Sequence, residues 1–173
     1  MMFPKAVIDT GPLFSVLVIN YDLRLAELGR SPRFTSELAD ELRGLAAQRR
    51  LLALLSSIRD KLTTPHVIAE LGGLGKSRLK LYGADRIAFW RTSIDLLIQW
   101  EIDERLVRLL DLAAEERFLA CLPDIGTTDT ALIQLALQHE CVLITEDERT
   151  LAREAWRQGV DCRLVTQLIP LGP

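Results

Sequence analysis

A single α/β domain built on a parallel sheet is the fold class this sequence predicts, and three observations predict it. Short aliphatic runs, Ala6-Val7-Ile8 near one end and Val142-Leu143-Ile144-Thr145 near the other, have the unbroken apolar character of strands buried on both faces. Between them lie long stretches with apolar residues at helical spacing, so that strand and helix patterns alternate along the chain. Each run is followed closely by an acid, Asp9 and Asp147, and in a parallel sheet both fall at the carboxyl edge, where ligands bind.

The elements follow in order. After Asp9, Thr10-Gly11-Pro12 turns into a helix from Leu13 to about Gly29, with Pro12 suited to a first turn. Ser31-Pro32-Arg33 breaks the chain, and Thr35-Ser36-Glu37 opens a leucine-rich stretch in which Leu38, Leu42, Leu45, Leu51, Leu55, Ile58 and Leu62 recur at helical spacing, as two helices or one kinked helix. Thr63-Thr64-Pro65 starts a short helix faced by Val67, Ile68 and Leu71, and Gly72-Gly73-Leu74-Gly75 ends it. A helix over Ala84 to Ser93 follows. Ile98, Trp100 and Ile102 alternate as in a strand, and Asp103 caps a helix burying Leu106, Leu109, Leu110 and Ala113. Leu122 to Gly126 is a loop, Thr127-Thr128-Asp129 opens a buried helix, and the strand ending at Ile144 leads to a helix through Gln158, a turn at Gly159 and a last strand from Val160 to Val165.

The 173 residues suit one domain, 1–173, at 49% apolar and 26% charged composition. A net charge of −3 provides no global attraction for nucleic acid, so such a partner needs a local basic patch. Cys121, Cys141 and Cys162 lack a CxxC or metal-ligand spacing and read as small core thiols in a reducing compartment. With the first strand starting almost at Met1 and no apolar run of bilayer length, a cytoplasmic protein without membrane contact is expected.

Four acids stand out by position: Asp9, Glu70, Asp129 and Asp147. Singly, each has a structural use, as N-cap, dipole partner or solvated side chain. Capping does not explain convergence. Two like charges about 5 Å apart repel by roughly 3 kcal/mol at an effective dielectric near 20, so an acidic cluster calls for a cation. Oxygen-only donors suit Mg²⁺ or Mn²⁺. Asp124 reads as a turn residue and Glu146 as pointing away from Asp147, each an auxiliary ligand at most. His66 and His139 read as helix-end residues, and Trp90, Trp100 and Trp156 as core.

The segments Val7-Ile8-Asp9-Thr10, Val67-Ile68-Ala69-Glu70-Leu71, Thr128-Asp129-Thr130-Ala131-Leu132-Ile133 and Leu143-Ile144-Thr145-Glu146-Asp147, in this order, resemble those of the PIN-domain ribonucleases, which include VapC-type toxins. The likeness covers nearly the whole chain and is weakest over 31–62, read as a helical insertion. It implies a PIN-like domain with a central parallel sheet of about four to five strands flanked by helices. The activity it implies is that of a metal-dependent endoribonuclease hydrolysing RNA phosphodiester bonds, as a possible toxin of a toxin–antitoxin pair. Asp9, Glu70, Asp129 and Asp147 would then be the catalytic, metal-binding set for Mg²⁺ or Mn²⁺, supported by Thr10 and Thr145. One rival is a non-catalytic PIN-fold module that binds RNA or protein. Another, a phosphatase-like or nucleotide-binding protein, is disfavoured because no phosphate-binding glycine loop follows the first strand.

Lys76, Arg78, Lys80 and Arg86, around the glycine-rich turn after Glu70, are the candidate RNA contacts; Arg43, Arg49, Arg50, Arg59 and Lys61 form a second basic set. The leucine-rich stretch holds more leucine than one helix on a sheet needs. It is open to three uses: covering the domain's own core, forming a homodimer, or seating a partner helix such as an antitoxin. A homodimer and an antitoxin are thus the protein partners expected.

Overall fold

The computed structural model describes residues 3–169. Five parallel strands, β1 (Lys5–Ile8), β2 (Asp60–Thr63), β3 (Asp103–Glu104), β4 (Val142–Thr145) and β5 (Cys162–Leu164), form one sheet in the order β3-β2-β1-β4-β5. Helices α1 (Thr10–Glu27), α2 (Leu45–Ser57), α3 (Pro65–Ser77), α4 (Gly83–Gln99), α5 (Leu109–Ala113), α6 (Glu116–Gln138), α7 (Leu151–Arg157) and α8 (Val165–Leu168) surround it. The α/β class with a parallel sheet is as the sequence predicts.

β1 is central because Ala6, Val7 and Ile8 lose all contact with solvent, which only an inner strand with helices on both faces allows. From β1 the chain steps to β2 and β3 on one side, then returns to place β4 and β5 on the other. The order therefore reverses between β1 and β4, and in open parallel sheets that reversal leaves a crevice at the carboxyl ends. Asp9 and Asp147 follow the two strands that flank it.

Several expected boundaries move. The leucine-rich stretch is not helical from Thr35: two single 3₁₀ turns, Thr35–Glu37 and Asp40–Leu42, precede α2. Buried Asp22 of α1 anchors this entry, accepting the backbone N–H groups of Arg33, Phe34 and Thr35 at 3.0, 2.8 and 2.8 Å. Leu62, expected on a helix face, lies in β2, paired with Val7. Asp60 and Lys61 disguise this strand, yet the Lys61 ammonium is buried, donating to the carbonyls of Ile58 and Trp100. Leu38, Leu42, Leu51, Leu55, Ile58 and Leu62 join the core, so most of the surplus leucine covers the domain itself, while Leu45 at the start of α2 is exposed.

Helix α3 runs through Gly72-Gly73-Leu74-Gly75 to Ser77 instead of stopping there. A Cβ on Gly75 would stand 3.4 Å from the Trp90 ring, so glycine lets α3 lie against α4 and tertiary packing overrides low helix propensity. Helix α4 likewise absorbs Ile98, expected in a strand, and β3 is confined to Asp103–Glu104. Asp103 pairs in the sheet instead of capping a helix, and Leu106, Leu109 and Leu110, expected inside, are exposed; only Leu112 of that segment is fully buried. Trp100 is buried, but Trp156 keeps 45% of its surface exposed. The Cys121, Cys141 and Cys162 thiols are free. No helix among the described residues is long and apolar enough to cross a membrane.

Candidate active site at the carboxyl edge of the sheet

Asp9 caps α1 and is buried, its Oδ1 accepting the Thr10 N–H at 2.5 Å and its Oδ2 the Thr145 hydroxyl at 2.6 Å. Its own N–H donates to the Ile144 carbonyl at 3.0 Å, extending the β1–β4 ladder into the site. Thr145 is wholly buried, and its Oγ1 also accepts the Asp147 N–H at 2.9 Å. One hydroxyl thus ties the acids of two adjacent strands.

Glu70 reaches the same place from α3, whose start is set by the cap Thr64 and by Pro65. Its two oxygens accept the hydroxyls of Thr10 at 2.7 Å and Thr128 at 2.8 Å. Asp129 enters from α6, which is broken at Gly126, where φ is 80° and ψ 178°. The Thr130 hydroxyl donates back to the Gly126 carbonyl at 2.7 Å, so Thr127-Thr128-Asp129 begins the second arm, as its sequence predicts. Asp129 is half-buried and accepts no hydrogen bond among the described residues. Asp147 closes the set, its Oδ1 accepting the N–H groups of Arg149 at 2.9 Å and Thr150 at 3.0 Å while Oδ2 accepts the Thr150 hydroxyl.

The electrostatics record this convergence. Burial raises the Asp9 carboxyl from 3.8 to about 6 despite its two hydrogen bonds, with Glu70 and Asp147 adding repulsion. Asp129 rises from 3.8 to about 7, first by burial and then through the charges of Asp9, Asp147 and Glu70. At Asp147 burial pushes upward too, but the Thr150 hydroxyl and the N–H groups of Thr150, Leu151 and Arg149 outweigh it and hold the group below the usual carboxylate range. Asp9 and Asp129 thus both feel the charges of Glu70 and Asp147.

Glu146 does point away from Asp147, and toward α1. Its Oε1 accepts the Ser15 hydroxyl at 2.7 Å, and its side chain lies across Gly11, where a Cβ would stand 3.2 Å from the Glu146 Cβ. Part of the residue faces solvent, yet its carboxyl is tucked in, and burial followed by the Asp9 charge raises its pKa. Ser15, Thr128 and Thr150 are contributors that sequence reasoning missed; Gly11 and Ser15, four apart on one helix face, were the available signal for the first. Lys76, Arg78, Lys80 and Arg86 are all exposed, with the Arg78 guanidinium 5.9 Å from the centre of the Phe14 ring. His66 is exposed in the first turn of α3, and His139 is the C-cap of α6, its pKa lowered mainly by burial.

Among the described residues, no three acid, imidazole or thiol groups close on one point as a finished metal cage. The donor set nonetheless fits a hard divalent ion in kind: carboxylate oxygens beside threonine hydroxyls, with Asp129 accepting no hydrogen bond among the described residues.

No curated protein matches this chain. The profile described as "PIN domain" matches residues 35–156, a span holding Glu70, Asp129 and Asp147 but beginning after Asp9, which the fold returns to them through the central position of β1. With more than half of its length matched and its parallel sheet in place, the chain belongs to the PIN domain family, whose fold is of the nuclease type.

Proposed function

We propose that the protein is a metal-dependent endoribonuclease that hydrolyses RNA phosphodiester bonds with Mg²⁺ or Mn²⁺ at the carboxyl edge of the sheet. The observation carrying this reading is Asp129, a half-buried carboxylate that accepts no hydrogen bond among the described residues and is raised to about 7 among three other acids. Such a group is costly in the folded protein and becomes favourable when a cation arrives.

Asp9, Glu70, Asp129 and Asp147 would hold the ion. The chemistry an ion supplies there when bound is Lewis-acid polarisation of a phosphate oxygen and acidification of water. The rest is work for the chain. Thr145 and the Thr10 amide orient Asp9, while the hydroxyls of Thr10 and Thr128 hold Glu70 against α1 and α6. Asp147, fixed by three hydrogen bonds and of lowered pKa, stays charged at neutral pH, whereas Asp129 shares its proton near neutrality in the metal-free protein. Lys76, Arg78, Lys80 and Arg86 are the phosphate contacts in this reading, bringing the RNA backbone to the acidic edge.

The test is cleavage of mixed RNAs against Mn²⁺ concentration, with Mn²⁺ binding measured in parallel by calorimetry. Asp129→Asn should lose at least ~100-fold in cleavage and bind Mn²⁺ ~10–100-fold more weakly. RNA binding without cleavage by the parent, at any metal concentration, would establish the non-catalytic module instead. The finer role, a toxin restrained by an antitoxin, rests on the family resemblance. It predicts that expression of the parent arrests host growth and that of Asp129→Asn does not.

A further inference from the structure

Beside the four acids, at the same edge of the sheet, the chain forms a pocket of about 200 Å³ that the proposed chemistry leaves unused. Its floor is apolar, made by Leu42, Leu164, Val165 and Ile169, all buried. Its rim carries three carboxylates, Glu41, Glu146 and Glu148, and among the described residues no basic side chain lines it.

The sheet sets its distance from the proposed metal-binding acids. Leu164 ends β5 in register with Thr145, whose hydroxyl ties Asp9 to Asp147, and adjacent strands lie about 5 Å apart. The pocket is therefore one strand away from those acids, within reach of a nucleotide whose phosphate sits among them. Its far wall is the 3₁₀ turn Asp40–Leu42, which follows the segment anchored by Asp22. The Ser15 hydroxyl fixes Glu146 at 2.7 Å, while Glu41 and Glu148 enter no hydrogen bond or ion pair among the described residues.

These features narrow the occupant. Carboxylates only accept, so a phosphate is repelled and the guest must bring N–H donors. The volume falls below the roughly 300–1,000 Å³ of sites for drug-sized ligands, which suits one planar ring and not a whole nucleotide. An apolar floor with polar groups at the rim is how a splayed base is held, by its face and by its pairing edge. Guanine alone among the four bases sets two donors side by side, N1–H and the N2 amino group, matched to the two oxygens of one carboxylate. Adenine and cytosine set an amino group beside an acceptor nitrogen. Uracil holds its N–H between two carbonyls that face the carboxylates unfavourably.

We propose that this pocket is a guanine subsite, in which the base next to the scissile phosphate lies on Leu42, Leu164, Val165 and Ile169 and donates its N1–H and N2 amino groups to the Glu41 and Glu148 rim. Its use in substrate choice rests on the nuclease reading; capture of the base does not.

Methyl NMR of Leu42, Leu164, Val165 and Ile169 tests it in the metal-free protein, titrated to ~5 mM with trinucleotides that carry uridine at both ends and guanosine, inosine, adenosine, cytidine or uridine between. The guanosine trinucleotide should shift these methyls and bind ~10-fold or more tightly than the others. Inosine, which lacks only the N2 amino group, should lose most of that preference. The double variant Glu41→Gln with Glu148→Gln, at two exposed positions, should erase it with the melting curve unchanged. No shift with any trinucleotide, equal affinity for all five, inosine bound as tightly as guanosine, or a preference that survives the double variant overturns the proposal. So does an arginine-containing tetrapeptide that shifts the same methyls when the guanosine trinucleotide does not, since the pocket would then take a protein guanidinium. With Mn²⁺ added, mixed RNAs should be cut beside guanines. A protein that selects guanosine and cuts nothing keeps the subsite and loses the nuclease; one that cuts RNA yet binds all five trinucleotides alike keeps the nuclease and loses the subsite.

Discussion

The Thr145 hydroxyl donates to Asp9 Oδ2 at 2.6 Å while accepting the Asp147 N–H at 2.9 Å, so one buried side chain aligns two acids 138 positions apart in the chain. Thr145→Val keeps the shape but strands both partners. It should cost about 1–3 kcal/mol in urea unfolding and lower Mn²⁺ affinity at least ~10-fold. Thr145→Ser should keep most of both. Equal losses in the two variants would mean that packing, not the hydroxyl, matters.

The metal-free protein should grow less stable as pH rises from about 4 to 8. An acid whose folded pKa is raised binds its proton more tightly when folded, so stability is greatest below the unfolded value and is lost as pH climbs through the folded one. Asp9, going from 3.8 to about 6, accounts for roughly 2–3 kcal/mol of that loss, and Asp129, at about 7, extends it to neutrality. Thermal melts across this range should show the decline. Mn²⁺ should reverse it at pH 8, and Asp129→Asn should melt higher than the parent there without metal.

Gly11→Ala, which in an ordinary helix would stabilise, should here destabilise by about 1 kcal/mol, because its Cβ would meet Glu146 at 3.2 Å and disturb the bond from Ser15. Combining it with Glu146→Ala should remove the penalty, a coupling measurable in a double-mutant cycle. Gly73→Ala, with nothing within 4 Å, should instead gain about 0.5–1 kcal/mol.

Gly126→Ala should cost about 1–3 kcal/mol, since φ of 80° with ψ of 178° is a conformation open to glycine alone. The break aims the second arm of α6, so the same variant should weaken Mn²⁺ binding through Asp129 and Thr128. Unchanged metal affinity in a destabilised variant would separate the kink from the site.

Much of the frame was legible because it is written locally. The runs before Asp9 and Asp147 are apolar enough to be nothing but inner strands, and Thr64-Pro65 starts α3 as expected, whereas the loop expected over Leu122 to Gly126 shrinks to a break at Gly126, the residues before it being helical. What was misread was decided at a distance. β2 is a strand because β1 and β3 pair with it, despite Asp60 and Lys61; α3 passes its glycines because α4 packs there; Ile98 stays helical because α4 continues on its inner contacts.

By itself, then, the sequence determined the parallel α/β class, the four acids and their family resemblance, since strand patterning and short motifs are properties of neighbouring residues. The resemblance already pointed to Thr10 and Thr145 as supports; only the tertiary structure decided which acid each hydroxyl holds, that Thr128 joins them, and that Glu146 turns to Ser15. Hydrogen bonds between residues 58 to 136 positions apart, and burial of one helix under another, depend on where the sheet brings the chain back to itself. Local spacing carries no record of that return.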